Sequence, residues 1–302
     1  MKLKYLGTAA AEAFPAVFCN CKYCNEAREL GGKNIRTRSQ SLINDDLLID
    51  FPADTYHHFI THGIRGDRIK YLLITHAHSD HLYQRDLFRR YGCYAHNMSV
   101  PTLELYCSSY AASTLDGDIP NVHVNIIKAF DVVEFGGYKI TALPARHMPG
   151  GEPLNYIIES DGKALLYAHD TGYFLDETFE YIEKSGIRFD MLSLDCTNVD
   201  IPVPDTGHHM GFPNIGRVVE KLRAIGAADK DTVICVNHFS HNGKHVTYLT
   251  YNTSFYATCL EINGDYFVLV DGKLVVNPTE AQRKVSDLEL TVAASMEKVV
   301  MI

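Results

Sequence analysis

Tyr71-Leu72-Leu73-Ile74-Thr75-His76-Ala77-His78-Ser79-Asp80-His81 runs from an apolar strand straight into three imidazoles and a carboxylate. Packing alone gives no reason for a strand to stop in such a cluster. Imidazole and carboxylate together suit divalent transition metals. Alternate residues of an extended segment face opposite sides, and the turn that follows gathers them again. Working outward, further donors stand where other apolar runs end: His147 after Ile140-Thr141-Ala142-Leu143, Asp170 after Leu165-Leu166-Tyr167-Ala168-His169, and His238 after Val233-Ile234-Cys235-Val236-Asn237. Strand ends are where α/β folds place their chemistry. The set can hold two metal ions, and the chain reads as a two-metal hydrolase.

The same alternation of short apolar runs and helical spacing extends along the chain. Leu3–Leu6 opens, Leu42–Ile49 reads as a hairpin about Asn44-Asp45-Asp46, and helices are expected near Ala53–His62 and Leu82–Tyr91. Residues 102–166 are strand-rich, with turns at Gly136-Gly137 and Asp161-Gly162. Later come helices at Phe174–Lys184 and Asn214–Ile225, strands at Met191–Leu194 and Thr232–Val236, a further helical stretch, and a hairpin over Tyr266–Val276. Hairpins interspersed with helices point to two antiparallel or mixed sheets flanked by helices rather than one doubly wound parallel sheet. No Pro/Gly/Ser-rich linker interrupts residues 1–278, which read as one domain; residues 279–302 read as an appended helical extension whose apolar end could dock on the domain or on a second copy.

Composition narrows the function classes. At 302 residues the chain can bury a substantial core, and 46% apolar with 22% charged residues is ordinary for a globular protein. A net charge of −9 argues against general affinity for nucleic-acid backbone, which needs a cationic surplus. The opening residues carry no secretory pattern and no apolar run is long enough to span a membrane, so the expected compartment is the cytoplasm. Eight cysteines are too sparse for a disulfide scaffold. Three of them, Cys19, Cys21 and Cys24, form a zinc site one ligand short, and His241, three residues beyond His238, is a natural fourth.

In order, Asp50, His76-x-His78-x-Asp80-His81, His147, Asp170 and His238 resemble the five-motif signature of the metallo-β-lactamase superfamily, over residues from about Leu3 to Val276. The resemblance implies a four-layer αββα sandwich of α/β (α+β) class. It also implies that His76, His78 and His147 bind one metal, that Asp80, His81 and His238 bind a second, and that Asp170 bridges them. Asp50 would orient a ligand histidine, and His169 is read as structural. The thiol loop after Leu6-Gly7-Thr8-Ala9-Ala10 resembles the cyclic phosphodiesterase family associated with carbon–phosphorus lyase, which opens phosphoribosyl cyclic phosphate. That family implies two active-site manganese or zinc ions, one structural zinc held by Cys19, Cys21, Cys24 and His241, and a histidine that protonates the leaving oxygen. His209 or its neighbour His208 would fill that last role, His209 being the better candidate. The chain departs from the family in Phe51-Pro52 after Asp50, in the histidine-rich Thr206-Gly207-His208-His209 and in the C-terminal tail.

The expected function is therefore hydrolysis of a small, cyclic phosphodiester by a hydroxide bridging two ions about 3.5–4 Å apart, with Asp80 and His209 in catalytic roles. Alternatives are an RNA-processing nuclease, a thioester or lactone hydrolase of the same superfamily, and a non-catalytic metal-bound sensor. The expected partner is a small-molecule phosphodiester, without membrane or nucleic acid, and a homodimer is open.

Overall fold

The computed structural model describes residues 1–199 and 201–243, and the backbone of 260–262, 265–270, 273–276, 290–292 and 299–301. In chain order the elements are β1 (Lys2–Gly7), α1 (Lys22–Leu30), β2 (Gln40–Ile43), β3 (Leu47–Ile49), α2 (Thr55–His62), β4 (Tyr71–Leu73), β5 (Leu103–Cys107), α3 (Ser109–Ser113) and β6 (Val122–Ile126). There follow β7 (Val132–Phe135), β8 (Tyr138–Pro144), β9 (Leu154–Ser160), β10 (Lys163–Ala168), α4 (Asp176–Ser185), β11 (Met191–Asp195), α5 (Phe212–Ala224) and β12 (Val233–Asn237). The last are β13 (Leu260–Ile262), β14 (Asp265–Val270), β15 (Lys273–Val276), β16 (Leu290–Val292) and β17 (Val299–Met301).

Two large mixed sheets result. One has the order β17-β1-β2-β3-β4-β5-β6, the other β16-β12-β11-β10-β9-β8-β7, and β13-β14-β15 make a small third sheet. Strand side chains alternate between two cores, which is why the apolar runs are nearly continuous. Along β10, Leu165 and Tyr167 join the core between the large sheets, while Leu166 and Ala168 face the helices outside. In β11, Met191 turns inward and Leu192 and Leu194 outward. Phe179 and Ile182 of α4 and Ile215, Val218, Val219 and Leu222 of α5 cover the outer face of the second sheet. The i, i+3, i+4, i+7 spacing on α5 gives one apolar stripe. A third cluster, Leu48, Leu72, Leu87, Leu105 and Ala111 with Phe59 of α2 beside it, covers the outer face of the first sheet. The layering is αββα.

The two-residue hairpins form where expected, because Gly136-Gly137 and Asp161-Gly162 supply the consecutive left-handed residues such turns require. Three expectations need correction. Leu82–Tyr91 is not an α-helix. Phe51 N donates to His81 O and Tyr83 N to Phe51 O, which hold residues 81–83 extended, and only a 3-10 stretch, Gln84–Arg89, follows. Two helices also went unpredicted: α1, whose N-cap is Cys21, and the short α3. Finally, the described residues of the tail are strands, not helix: β16 pairs with β12 and β17 with β1, so β-branched stretches satisfy open sheet edges. The helical stretch expected after β12 falls at 244–259, outside the described residues.

One buried histidine braces the loop after β3. His58 of α2 bonds Gln40 Oε1 through Nδ1 at 2.6 Å and Thr37 Oγ1 through Nε2 at 2.7 Å, and Gln40 Nε2 donates to Asp50 O at 2.9 Å. Burial pushes the His58 imidazole down to about 3. Between that value and about 6.5 in the unfolded chain, only the unfolded state takes up the proton. Stability therefore falls as pH drops through this window, by up to about 1.4 kcal/mol per pH unit. His58→Gln should flatten this acid limb, so urea unfolding at pH 7 and pH 5 should lose about 2 kcal/mol more in the parent than in the variant; equal losses would contradict the assignment.

Candidate metal centre

Six loops at one edge of the sandwich deliver the donors. Asp50 follows β3, the His76–His81 segment follows β4, His147 follows β8, Asp170 follows β10, Asp195 ends β11 and His238 follows β12. Asp50, Asp170 and His238 hold φ values of 63°, 55° and 66°. A left-handed backbone at a non-glycine residue costs on the order of 1 kcal/mol, and each is pinned in place. Asp50 N bonds Leu73 O at 2.8 Å, Asp170 N bonds Asp195 Oδ2 at 3.1 Å, and His238 N bonds Asn237 Oδ1 at 2.8 Å.

Two donor groups share Asp170. On one side His78 Nδ1 lies 2.9 Å from His76 Nε2 and 3.1 Å from His147 Nε2, and these two Nε2 atoms lie 3.2 and 3.4 Å from Asp170 Oδ2. On the other, His81 Nε2 lies 3.0 Å from Asp170 Oδ2 and 3.1 Å from Asp80 Oδ2, with His238 Nε2 3.7 Å from Asp170 Oδ2. Donors about 2.1 Å from one ion stand roughly 3.0 Å apart in octahedral and 3.4 Å apart in tetrahedral arrangement. The observed edges match such shells. His81 Nε2 and His238 Nε2 are buried without a hydrogen-bond partner, although other polar atoms crowd them. These atoms belong to the donor groups that could hold metal ions.

Charge makes the same point. Asp50, Asp80, Asp170 and Asp195 are all buried, and among the described residues their ion-pair partners are histidines only. Four buried carboxylates need compensating positive charge, which metal ions held by these donor groups would supply. Burial resists protonation of His76 and brings His147 down to about 3, which leaves neutral lone pairs. His81 moves the other way: burial opposes its charge, but Asp80 and Asp50 hold it well above the usual range.

The outer contacts come in matched halves. Asp50 Oδ2 sits 2.7 Å from His81 Nδ1, and its carboxylate accepts from Thr75 N and Oγ1 at 2.8 and 2.9 Å. Asp195 Oδ2 sits 3.3 Å from His238 Nδ1 and accepts from Thr197 Oγ1 at 2.9 Å, while Thr197 Oγ1 is 2.8 Å from His238 Nδ1. Each ligand ring is thereby turned so that Nε2 faces the centre. Sequence reasoning missed Asp195, Thr75 and Thr197. Asp195 did carry a usable signal, an acid closing the apolar run Met191-Leu192-Ser193-Leu194.

His209 enters the site and His208 does not. His209 Nδ1 is 3.0 Å from Asp170 Oδ1 and 3.4 Å from Asp195 Oδ2, whereas the exposed His208 meets His147 through its carbonyl, 3.3 Å from His147 Nδ1, and through an edge-on ring contact with centroids 6.2 Å apart. Burial works against the His209 imidazolium, but Asp170 and Asp195 overcome it and lift the group to about 10. His169 lies outside the donor groups: its ring is buried between Ser193 Oγ at 2.7 Å and Ser39 Oγ at 3.3 Å.

The thiol loop closes on His241. Its Nδ1 lies 3.3, 3.6 and 3.5 Å from the sulfurs of Cys19, Cys21 and Cys24. A tetrahedral ion with Zn–S and Zn–N bonds of about 2.3 and 2.1 Å gives an N···S edge of roughly 3.6 Å. The backbone supports the sulfurs, since Cys21 N donates to Cys19, Cys24 N to Cys21 and Ala16 N to Cys24. Burial opposes a Cys21 thiolate, yet hydrogen bonds, that of His241 foremost, bring it down to about 6.

Comparison with known proteins agrees with this geometry. The family model described as "Beta-lactamase superfamily domain" matches residues 48–234, more than half of the chain. A "UPF0173 metal-dependent hydrolase" of Pelotomaculum thermopropionicum is 31% identical over 134 residues, which are 41% of this chain and 51% of that protein. A 34-residue stretch, 11% of this chain, is 68% identical to 5% of a polyribonucleotide nucleotidyltransferase of Lachnoclostridium phytofermentans. The chain thus spans about half the length of the hydrolase relative, and a small fraction of the nucleotidyltransferase. Among solved structures, a "New Diphosphatase from the PhnP Family" superposes with TM-score 0.62 at 21% identity, covering 80% of this chain and 87% of that one. Zn(2+)-bound PqqB from Methylobacterium extorquens superposes with TM-score 0.64 at 15% identity over the full length of both. At these identities the likeness is one of fold. The matched family model, together with the layered sandwich and the paired donor groups, shows that the chain belongs to the β-lactamase superfamily and has the metallo-β-lactamase fold.

Proposed function

We propose that the chain is a dinuclear metal-dependent phosphodiesterase acting on a small, cyclic phosphodiester. The observation that carries this reading is the position of Asp170, whose carboxylate stands between two histidine-rich donor groups and also faces His209. His76, His78, His147 and Asp170 would hold one ion, and Asp80, His81, Asp170 and His238 the other. Manganese or zinc bound there supplies Lewis acidity and a water made nucleophilic at neutral pH. An all-oxygen and nitrogen donor set at both positions suits phosphoryl oxygens, and the "diphosphatase" named for one structural neighbour is a phosphoryl-transfer enzyme of this fold.

The protein's own part is to hold and move protons. Asp170 and Asp195 fix His209 through Nδ1, so Nε2 is the nitrogen left to meet a substrate. A cationic imidazole there donates a proton to the departing alkoxide and screens the phosphoryl charge. With a metal ion held at Asp170, that carboxylate would hold the His209 imidazolium less tightly. The thiol group with His241 would carry a zinc ion that fastens the N-terminal loop. With no Lys/Arg surplus (28 against 37 acidic residues), the nuclease alternative gains no support.

Turnover of a ribose cyclic phosphate and of bis(p-nitrophenyl) phosphate by metal-loaded protein is the direct test, and Asp170→Ala should abolish both. His209→Ala should cost about 100-fold or more with an alkoxide leaving group and much less with p-nitrophenolate, which needs no proton. Thioester or lactone turnover without any phosphodiester cleavage would overturn the proposal.

Because His81 is held protonated by its carboxylates, an entering cation must displace the proton. Metal affinity should rise with pH and fall as pH drops. Calorimetric titration in buffers of different ionisation enthalpy should show net proton release, and its absence would count against this ligand set. Metal analysis after mild chelation should find one retained zinc per chain, lost in Cys21→Ser.

A further inference from the structure

The loop after β12 carries a ligand of each centre, His238 and His241, separated by Phe239 and Ser240. Phe239 is locked to the N-terminal loop: its N donates to Thr8 O, and its carbonyl accepts from Ala10 N, both at 2.9 Å. Ser240 N donates to Thr197 O at 3.3 Å, and the Thr197 hydroxyl lies 2.8 Å from His238 Nδ1. The Ser240 hydroxyl donates to Glu12 Oε1, and the same oxygen stands 3.7 Å from His241 Nε2. An ion held by the three sulfurs and His241 Nδ1 would leave the ring proton on Nε2, which faces this carboxylate.

We propose that Glu12 is a positioning residue that couples the three-thiol centre to the dinuclear centre. Through one oxygen it orients the His241 ring for the thiol-bound ion and holds Ser240, which fixes the segment that aims His238. Occupancy of either centre thereby pre-orders the ligand of the other, and such coupling is reciprocal. Cations at the dinuclear centre slow release of the thiol-bound ion, and loss of that ion weakens the second active-site position. The inference rests on the reading of both donor groups as metal sites.

The test uses the full chain carrying its thiol-bound zinc, stripped of active-site metal and titrated with cobalt(II). Visible ligand-field bands report the dinuclear centre, and cobalt at the thiols would add near-ultraviolet thiolate charge transfer. A chromophoric chelator reads zinc release separately. Glu12→Ala should weaken cobalt binding about 10-fold, speed zinc release and abolish the slowing of that release by cobalt, whereas Glu12→Gln, which keeps an acceptor oxygen, should retain all three. If Glu12→Ala does not fold, Glu12→Asp, with the carboxylate withdrawn by one methylene, is read the same way. Faster zinc release with unchanged cobalt affinity would overturn the coupling while leaving the metal sites standing. Absence of any thiol-bound metal in the parent protein would overturn the underlying reading instead.

Discussion

Four carboxylates buried at one edge of the sandwich, with only imidazoles for ion-pair partners among the described residues, set the terms for everything around them. Such a concentration of negative charge in a desolvated place is unstable by itself. Protons on His81 and His209 answer it in part, and the donor groups have the spacing that metal ions would require. Local backbone strain at Asp50, Asp170 and His238 fits this account, since each residue is held in a left-handed conformation where its side chain or its neighbour's reaches the centre.

The architecture explains how one edge can gather so many groups. Two mixed sheets packed face to face bring the ends of β3 and β4 opposite those of β8, β10, β11 and β12, and Asp170 meets donors from both sheets. The two halves repeat one device, in which a buried aspartate and a threonine hydroxyl turn a histidine so that its far nitrogen faces inward: Asp50 and Thr75 with His81, Asp195 and Thr197 with His238. Rings held this way lose little freedom when an ion binds, which raises affinity without adding a contact.

Much of this was legible in the sequence because metal chemistry demands unusual residues in compact spacing. His76-x-His78-x-Asp80-His81 and Cys19-x-Cys21-x2-Cys24 stand out from any packing pattern, and isolated His147, Asp170 and His238 become meaningful at strand ends. Hairpins mixed with helices pointed to two mixed sheets flanked by helices, and the family resemblance implied the αββα layering. What escaped was whatever depends on proximity across the fold. Thr75, Thr197 and Glu12 are ordinary residues locally, and only folding sets them against imidazoles. Leu82–Tyr91 has helical spacing, but a bridge to Phe51 outweighs propensity there. The tail was misread for a related reason, because open sheet edges rather than local pattern decide the state of Leu290–Val292 and Val299–Met301.

In the proposed centre Asp170 stands between two cations. Anomalous diffraction at the manganese or zinc edge, from crystals grown with that metal, tests it most directly. Two peaks about 3.5–4 Å apart are expected, flanking the Asp170 carboxylate, one against His76, His78 and His147 and the other against Asp80, His81 and His238. A single peak, or density away from Asp170, would contradict it.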